Sequence, residues 1–245
     1  DLYDIMAPGS PRNPFRTEAL AWRNWCLLLT LLHQGLRTGE ALLLTVGAVR
    51  SGVHPLTGEQ ARWINVARLR SDEDPRFAEP PSIKTEHSIR DIPVSNDLAF
   101  SLHQYETGWR GRRDHPFLFV NPRGQPLSTR GVRQVFQTVS RALSPASRRL
   151  LVDSRREPVV LPHDLRHTCA VVRLTHLRKA GIEEEEALQM LRAFFGWSRA
   201  SEMPRLYARA YYEARLVEIW RDGFDAHVEA LRRLAPDPVA QGGHP

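Results

Sequence analysis

Apolar residues recur with helical spacing along most of this chain, and only one region alternates apolar and polar residues as strands do. The segment EALAWRNWCLLLTLLHQG (18–35) predicts a long helix that ends at its glycine. In contrast, ARWINVARL (61–69) alternates, and SIKTEHSIRDIPVS (82–95) is typical of two short strands around a turn. This order of patterns predicts a mostly α fold with one small antiparallel β-sheet.

Further segments have helical spacing, and several begin at residues that commonly cap a helix start, namely Thr38, Asn96 and Ser128. The connection 144–158 is polar and contains prolines, so we predict no helix there. The predicted helices cover residues 38–46, 95–111, 128–143, 164–179, 183–196 and 203–234.

The two ends of the chain differ in composition from its middle. Residues 1–14 contain three prolines and a glycine and are predicted to be a linker, and residues 15–222 are predicted to form one domain. Residues 223–245 are predicted to be a C-terminal helix followed by a disordered tail rich in proline and glycine. Because the chain begins at Asp1 rather than methionine, we expect it to be a fragment of a longer protein.

Charge and hydropathy limit the classes of function. A formal charge of +6 and a pI near 9.9 favour a polyanionic partner without identifying it. With no run of eighteen apolar residues and no signal peptide, we expect an intracellular, soluble protein without membrane contact. Cys26 and Cys169 lie in apolar helical patterns and are expected to be reduced core residues.

Lysine is rare in this chain. Lys84 and Lys179 are the only lysines among 34 basic residues. Because an ammonium group can give up a proton and a guanidinium cannot, a lysine retained against this bias is a candidate proton donor.

The stretch LPHDLRHT places His163, Arg166 and His167 within five positions, which is compatible with a metal site or a phosphate site. The zinc-protease pattern requires glutamate after the first histidine, but Asp164 stands there. Pro162 places His163 at the start of a helix, so the two histidines need not share one face. A third metal ligand is not obvious, although His176 is a candidate, so the phosphate interpretation is favoured and no metal is predicted.

Other candidate residues are ordinary when each is taken alone. Arg37 in GLRTGEAL precedes Glu40 by three positions, as a surface ion pair on a helix would. Lys84 lies near the tip of the predicted hairpin, where most lysines are solvated. Trp197, in FGWS, and Tyr207 are residue types that most often pack in a core.

Taken in order, these motifs resemble the catalytic set of the tyrosine recombinases, the phage integrase family, over residues 15–215. GLRTGEAL resembles the first arginine box, KTEHSIRDIPV the β2–β3 hairpin, and LPHDLRHT the His-x-Leu-Arg-His box. FGWS is similar to the next box, where most members have histidine and a minority have tryptophan. The resemblance implies catalytic roles for Arg37, Lys84, His163, Arg166, Trp197 and Tyr207, with Glu40 and His167 in support.

The resemblance also implies the chemistry and the partners. It implies a tyrosine recombinase catalytic domain over 15–222 that cleaves and rejoins double-stranded DNA through a 3′-phosphotyrosyl intermediate and a Holliday junction. It further implies four subunits on paired sites and no metal, ATP or small-molecule cofactor. On this interpretation the protein acts in a bacterial cytoplasm and is encoded by the bacterium or a phage. Residues 223–245 are a candidate for docking on a neighbouring subunit, and packing on the same subunit is the alternative. The family's N-terminal DNA-clamping domain is absent from the chain.

Several choices stay open within this resemblance. The gap from Trp197 to the nucleophile is about one residue longer than the commonest spacing, which leaves Tyr211 as an alternative to Tyr207. Arg130 and Arg133 lie on the helix that is our candidate for contacting DNA. A type IB topoisomerase uses similar residues, and a relative that binds DNA without catalysis is a third interpretation. His163 is the predicted base or proton relay for the nucleophile, the division of proton transfer between His163 and His167 stays open, and Lys84 is the predicted acid.

Overall fold

Helices surround one three-stranded sheet in the computed structural model, which describes residues 1–54, 57–67, 89–155 and 158–219. A π-helical turn (Tyr105–Arg110) directly continues α4. The mostly α fold with one small antiparallel sheet is therefore confirmed. The described helices are α1 (Leu2–Met6), α2 (Glu18–His33), α3 (Thr38–Leu42), α4 (Asn96–Gln104), α5 (Thr129–Ala142), α6 (Pro145–Arg155), α7 (Pro162–Lys179), α8 (Glu184–Phe195) and α9 (Met203–Ile219). The strands are β1 (Val49–Val53), β2 (Gln60–Val66) and β3 (Arg90–Pro93).

The sheet has the order β1-β2-β3, and both neighbouring pairs are antiparallel. Ile64 of β2 lies between Val49 of β1 and Ile92 of β3. Ile64, Val66 and Ile92 are all buried, because alternate residues of a strand point to the same face of the sheet. This face packs on the helices, which confirms the alternation predicted for β2.

Side-chain caps fix where several helices begin. The Thr17 hydroxyl accepts a hydrogen bond from the backbone N–H of Leu20, and Ser128 caps α5 in the same way. Ser95 rather than Asn96 caps α4, one position earlier than predicted. These hydroxyl oxygens bind first-turn N–H groups that have no partner inside the helix.

The buried apolar residues form two groups. The larger group joins α1 to α5 with the sheet, and the smaller group joins α7, α8 and α9. Helix α7 connects them, because Leu165 belongs to the first group and Cys169 to the second. Every helix in the described ranges is too short or too polar to span a lipid bilayer.

Residues 1–14, which the sequence predicts to be a linker, instead contain α1. Ile5 and Met6 are fully buried in the larger group. The Tyr3 hydroxyl lies 2.7 Å from Nε2 of His33 on α2. The prolines and glycine all follow Met6, so they end this helix rather than prevent it.

The connection 144–158 was also predicted wrongly, since α6 occupies most of it. Pro145 is the first residue of α6, a position where proline loses no helical hydrogen bond. The Ser144 hydroxyl accepts from the backbone N–H of Ser147 at 3.2 Å, as a helix cap does. The polar composition reflects an exposed helix. The predicted C-terminal segment 223–245 lies outside the described residues.

Replacing Ile5 with alanine is expected to lower the free energy of unfolding by roughly 2–5 kcal/mol, because it leaves a cavity in the main core. Denaturant unfolding measures this change. The matched control is Val53→Ala on exposed β1, for which we expect a change below about 0.5 kcal/mol. Equal free energies of unfolding for Ile5→Ala and the unaltered protein would instead support the prediction that residues 1–14 are a linker.

Candidate active site

A buried carboxylate lies between three guanidinium groups. Glu40 on α3 is 1% exposed, and its Oε1 accepts from Nη1 of Arg37 at 2.7 Å. Arg90 on β3 donates from Nη1 to Oε1 at 3.3 Å and from Nη2 to Oε2 at 3.2 Å. Nη1 of Arg166 on α7 lies 3.7 Å from Oε2. We call these four residues the arginine cluster, and it joins a helix, a strand and a second helix around one anion.

The arginine cluster keeps Glu40 ionised. Burial by itself raises the pKa of this carboxyl group, but the charges of Arg90 and Arg166 and hydrogen bonds from Arg90 and from the backbone of Arg37 outweigh burial. The pKa of Glu40 therefore lies below its ordinary value. One negative charge against three positive charges leaves the cluster with a net charge of +2, which favours an anionic ligand.

Arg166 is held by backbone carbonyl groups as well as by Glu40. Its Nη2 donates to the carbonyl oxygen of Phe195 at 2.9 Å, and its Nη1 donates to that of Gly35. Burial lowers the pKa of Arg166 to about 10, so this guanidinium is still charged at neutral pH. The side chain of Arg37 is 32% exposed, so Arg37 is the better placed of the two to meet a phosphate from solvent.

Gly35 permits the close contact between the loop after α2 and the end of α8. Its φ is +56°, a conformation that glycine adopts without strain. A Cβ atom there would lie 2.3 Å from Cε1 of Phe195. The glycine that ends the predicted helix thus also brings its own carbonyl oxygen to Arg166.

Three aromatic rings stack beside Arg166. Trp197 lies between Phe195 and Tyr207, with ring centroids 4.6 Å and 5.3 Å away and interplanar angles of 13° and 16°. The Arg166 guanidinium carbon lies 4.9 Å from the Phe195 ring centroid. Trp197 follows Gly196, whose left-handed conformation ends α8 and turns the chain towards α9. The stack therefore fixes the ring of Tyr207 next to the arginine cluster.

The hydroxyl group of Tyr207 contacts a histidine. It lies 2.7 Å from Nδ1 of His167, and the His167 ring lies 4.2 Å from the ring of His163. The sequence leaves the division of proton transfer between His163 and His167 open, and in the structure His167 is the direct partner of the hydroxyl. The two histidines share one face because α7 is regular from Pro162 onwards and they lie four positions apart.

The environment of Tyr207 opposes its ionisation. Tyr207 is 2% exposed. Burial raises the pKa of its hydroxyl to about 12, although the charges of Arg166 and Arg37 lower it in part. At neutral pH about one molecule in 10⁵ then carries a phenolate. A reaction of this oxygen therefore needs a proton acceptor, and Nδ1 of His167 lies within hydrogen-bond distance.

Tyr211 lies one helical turn beyond Tyr207 and has a different ring partner. Its ring contacts Tyr212 edge to face, with centroids 5.2 Å apart, and it is packed against the smaller group of buried residues. The geometry therefore favours Tyr207 over Tyr211 as the residue that meets the arginine cluster.

Three predicted residues remain. Lys84 lies outside the described residues. Arg130 and Arg133 lie on the exposed side of α5, away from its buried residues. Among the described residues, no three His, Cys, Asp or Glu side chains gather as metal ligands would.

The sequence analysis missed two residues of the site, Arg90 and Phe195. Arg90 lies two positions before buried Ile92, so strand alternation places its side chain on the buried face. An arginine at such a position requires a buried anion, which is the signal that could have identified it. Phe195 follows the helical apolar pattern of α8, and nothing in the sequence distinguishes it from an ordinary core residue.

The part of the chain that contains this site is similar in sequence to a known protein family. The sequence model of the phage integrase family matches residues 12–214. This chain belongs to the phage integrase family. The matched region includes every residue of the site from Arg37 to Tyr207, which agrees with the resemblance found in the motifs.

The sequence identity between this phage-integrase-family chain and an individual relative is low. Tyrosine recombinase XerC of Pelotomaculum thermopropionicum is 26% identical over 200 residues, which cover 78% of this chain and 52% of XerC. The chain thus spans about half the length of that relative.

The solved structure of a site-specific recombinase shares the fold of this chain. XerH site-specific recombinase bound to palindromic difH substrate, a post-cleavage complex, matches with a TM-score of 0.51 at 15% identity. This match covers 90% of the present chain and 52% of XerH. XerA recombinase gives a TM-score of 0.49 at 21% identity, over 83% of this chain and 58% of XerA. The XerH match confirms the predicted tyrosine recombinase fold.

Replacing Glu40 with glutamine is expected to lower the free energy of unfolding at neutral pH by roughly 3–5 kcal/mol, because buried guanidinium groups lose their anion. The folded pKa of Glu40 is depressed, so the carboxylate stabilises the fold above its unfolded pKa and loses this effect as pH falls through the folded pKa. The difference between the two proteins should therefore shrink below about pH 4.

Denaturant unfolding at a series of pH values measures this difference. The matched control is Glu202→Gln, since Glu202 and its partner Arg205 are 77% and 75% exposed. We expect the control to change stability by less than about 0.5 kcal/mol at every pH. A Glu40→Gln effect of constant size down to strong acid would contradict the assignment of the stability to the charged cluster.

Proposed function

We propose that this chain is the catalytic part of a site-specific DNA recombinase. The observation that carries the proposal is the position of the Tyr207 hydroxyl group, which contacts His167 and lies beside a net positive arginine cluster. A nucleophile, a proton acceptor and a site for an anion are the parts that phosphoryl transfer to tyrosine requires. The domain proposed to carry this function is 15–222.

Arg37 and Arg166 of the arginine cluster are proposed to hold the phosphate that is attacked. Arg37 has a partly exposed side chain and is proposed to meet the non-bridging oxygens first. Arg166 has five N–H groups, of which the carbonyls of Gly35 and Phe195 use a part, and the others complete the contact. Donors that are already in place when charge develops on the phosphate lower the barrier without reorganisation.

The nucleophile is proposed to be Tyr207 Oη, and its proton passes to Nδ1 of His167. This transfer requires the tautomer of His167 that carries its proton on Nε2, so that Nδ1 accepts. The exposed His163 is next to His167 and is proposed to relay the proton to solvent. Trp197 has no proton to exchange at neutral pH, so its role is to hold the Tyr207 ring by stacking.

The attack forms a bond from Tyr207 Oη to phosphorus and breaks the bond from phosphorus to the 5′-oxygen. Lys84 is proposed to give the leaving 5′-oxygen its proton. The products are a 3′-phosphotyrosine and a free 5′-hydroxyl. Because the phosphodiester bond is exchanged for another ester, rejoining the strand needs no ATP, and the charges of arginine and lysine take the place of a metal.

The proposed partners follow from this chemistry. The substrate is double-stranded DNA, and the exposed Arg130 and Arg133 of α5 are proposed to contact it. Joining two sites requires two strands to be exchanged at each, so we propose a homotetramer on paired sites with a Holliday-junction intermediate. We propose that the activity takes place in a bacterial cytoplasm, at the nucleoid, and the bacterial relative supports this proposal.

A nicked duplex that traps the covalent intermediate tests this function. Tyr207→Phe protein first selects the target sequence from a random duplex library, because it binds DNA without cutting it. The unaltered protein should then form a covalent adduct with a nicked copy of that sequence, also in EDTA. Tyr207→Phe should lose the adduct and keep its DNA affinity, and Tyr211→Phe should retain both, as gel electrophoresis measures.

Each alternative predicts a different result in this assay. An adduct in Tyr207→Phe would refute the nucleophile. Relaxation of supercoiled DNA without resolution of Holliday junctions would indicate a topoisomerase. DNA binding by the unaltered protein without any adduct would indicate an inactive relative, and loss of the adduct in EDTA would indicate a metal enzyme.

Separate substitutions of the two histidines test the path of the proton. His167→Ala should lower the single-turnover cleavage rate about 100-fold, because the base that contacts the hydroxyl is gone. His163→Ala should lower it less, about 10-fold, since water can replace a relay that faces solvent. His103→Ala on exposed α4 is the control. If the cleavage rate fell more in His163→Ala than in His167→Ala, His163 rather than His167 would be the base.

A further inference from the structure

One member of the arginine cluster has no role in the proposed reaction. Arg90 is the first residue of β3, and its side chain is 7% exposed. Its guanidinium donates to both carboxylate oxygens of Glu40, at 3.3 Å and 3.2 Å. Its Nε donates to the backbone carbonyl of Phe194 at 2.8 Å. Arg90 thus connects the sheet, α3 and the end of α8.

These three connections lead to the residues that perform the proposed chemistry. Glu40 holds Arg37 and lies next to Arg166. Phe194 comes directly before Phe195, whose carbonyl binds Arg166 and whose ring begins the stack on Tyr207. A displacement of Glu40 or of the end of α8 therefore moves both phosphate-binding arginines and the nucleophile.

The geometry requires arginine rather than lysine. A planar guanidinium has donors in two directions, so it can bind two carboxylate oxygens along one edge and a carbonyl with Nε. A lysine ammonium is a point charge that restores the attraction to Glu40 but cannot make all three contacts. Lysine at this position should therefore rescue the function only in part.

We propose that Arg90 is a positioning residue for DNA cleavage, which acts through Glu40 to fix Arg37 and Arg166 in the geometry that binds the scissile phosphate. The inference rests on the proposed function. Arg90 also lies six positions after Lys84 in the sequence, so the strand that it anchors to the cluster follows the segment of the proposed acid.

Cleavage and binding separate this role from a purely structural one. Arg90→Met should lower the single-turnover cleavage rate of the nicked duplex about 100-fold, because small displacements of positioned groups cost about this much. Its DNA affinity should fall much less, by about threefold, since Arg37 and the other surface arginines are still present. Arg90→Lys should recover a part of the rate, to about 10-fold below the unaltered protein.

A double-mutant cycle tests whether Arg90 acts through Glu40. If it does, adding Arg90→Met to Glu40→Gln should lower the cleavage rate by less than about threefold beyond Glu40→Gln alone. Independent effects would multiply instead, and this outcome would overturn the inference. The matched control is Arg62→Met on neighbouring β2, an exposed arginine that bonds the neutral amide of Asn96. Its cleavage rate should stay within about threefold of the unaltered protein.

A second measurement needs no DNA. The charged groups that face Glu40 are Arg37 from α3, Arg90 from β3 and Arg166 from α7. Removing Arg90 should move the titration of Glu40 to higher pH, because burial is then opposed by fewer charges. Carbon-13 NMR of labelled glutamate, assigned with Glu40→Gln, follows this titration, and the cleavage rate of Arg90→Met should fall with it as pH is lowered.

These readouts distinguish two failures. If the unaltered protein forms no adduct on the selected duplex, the proposed function fails, and an unshifted Glu40 titration in Arg90→Met would then also remove the electrostatic basis of the inference. If the unaltered protein forms the adduct and a folded Arg90→Met protein cleaves at the same rate, the role of Arg90 alone is refuted. Should Arg90→Met not fold, Arg90→Lys carries the test, and a rate equal to that of the unaltered protein overturns the inference.

Discussion

The site depends on one buried anion. Glu40 is almost fully buried, and a lone carboxylate in that place would be protonated or would destabilise the fold. The ionised carboxylate is stabilised by the charges of Arg37, Arg90 and Arg166. The carboxylate in turn sets where their guanidinium groups lie. Because each arginine comes from a different element, the ion pairs also hold α3, β3 and α7 together. The stability of the fold and the proposed phosphate binding thus depend on the same contacts.

The aromatic stack lies next to the arginine cluster and has two opposite effects on Tyr207. Phe195, Trp197 and Tyr207 pack almost parallel, which fixes the proposed nucleophile, Tyr207, but also buries it. Burial raises the pKa of Tyr207, and the nearby arginines offset only part of this effect. The hydrogen bond between Tyr207 and His167 offsets this effect of burial, because a proton acceptor at hydrogen-bond distance removes the need for a free phenolate.

Much of the fold follows from local patterns, and the misses have physical causes. Ser128 caps α5 as expected, because a cap depends only on neighbouring residues. Helix α6 was missed because an exposed helix needs no apolar stripe, and α1 was missed because five residues are too few for a periodic signal. Arg90 was missed because its anion, Glu40, lies 50 positions away in the sequence. Phe195 was missed because stacking on Trp197 is invisible in an apolar pattern.

The sequence alone determined which residue types could serve the chemistry and in which order they occur. The motifs around Arg37, His163 and Trp197 are local, so they indicated the family without any knowledge of distances. The tertiary structure decided which of those residues contact each other and which are buried. It paired Tyr207 with His167 rather than His163, and it buried Arg166 while leaving Arg37 partly exposed. These choices depend on how α7, α8 and α9 pack against each other, and side-chain distances between remote elements are set only when they pack.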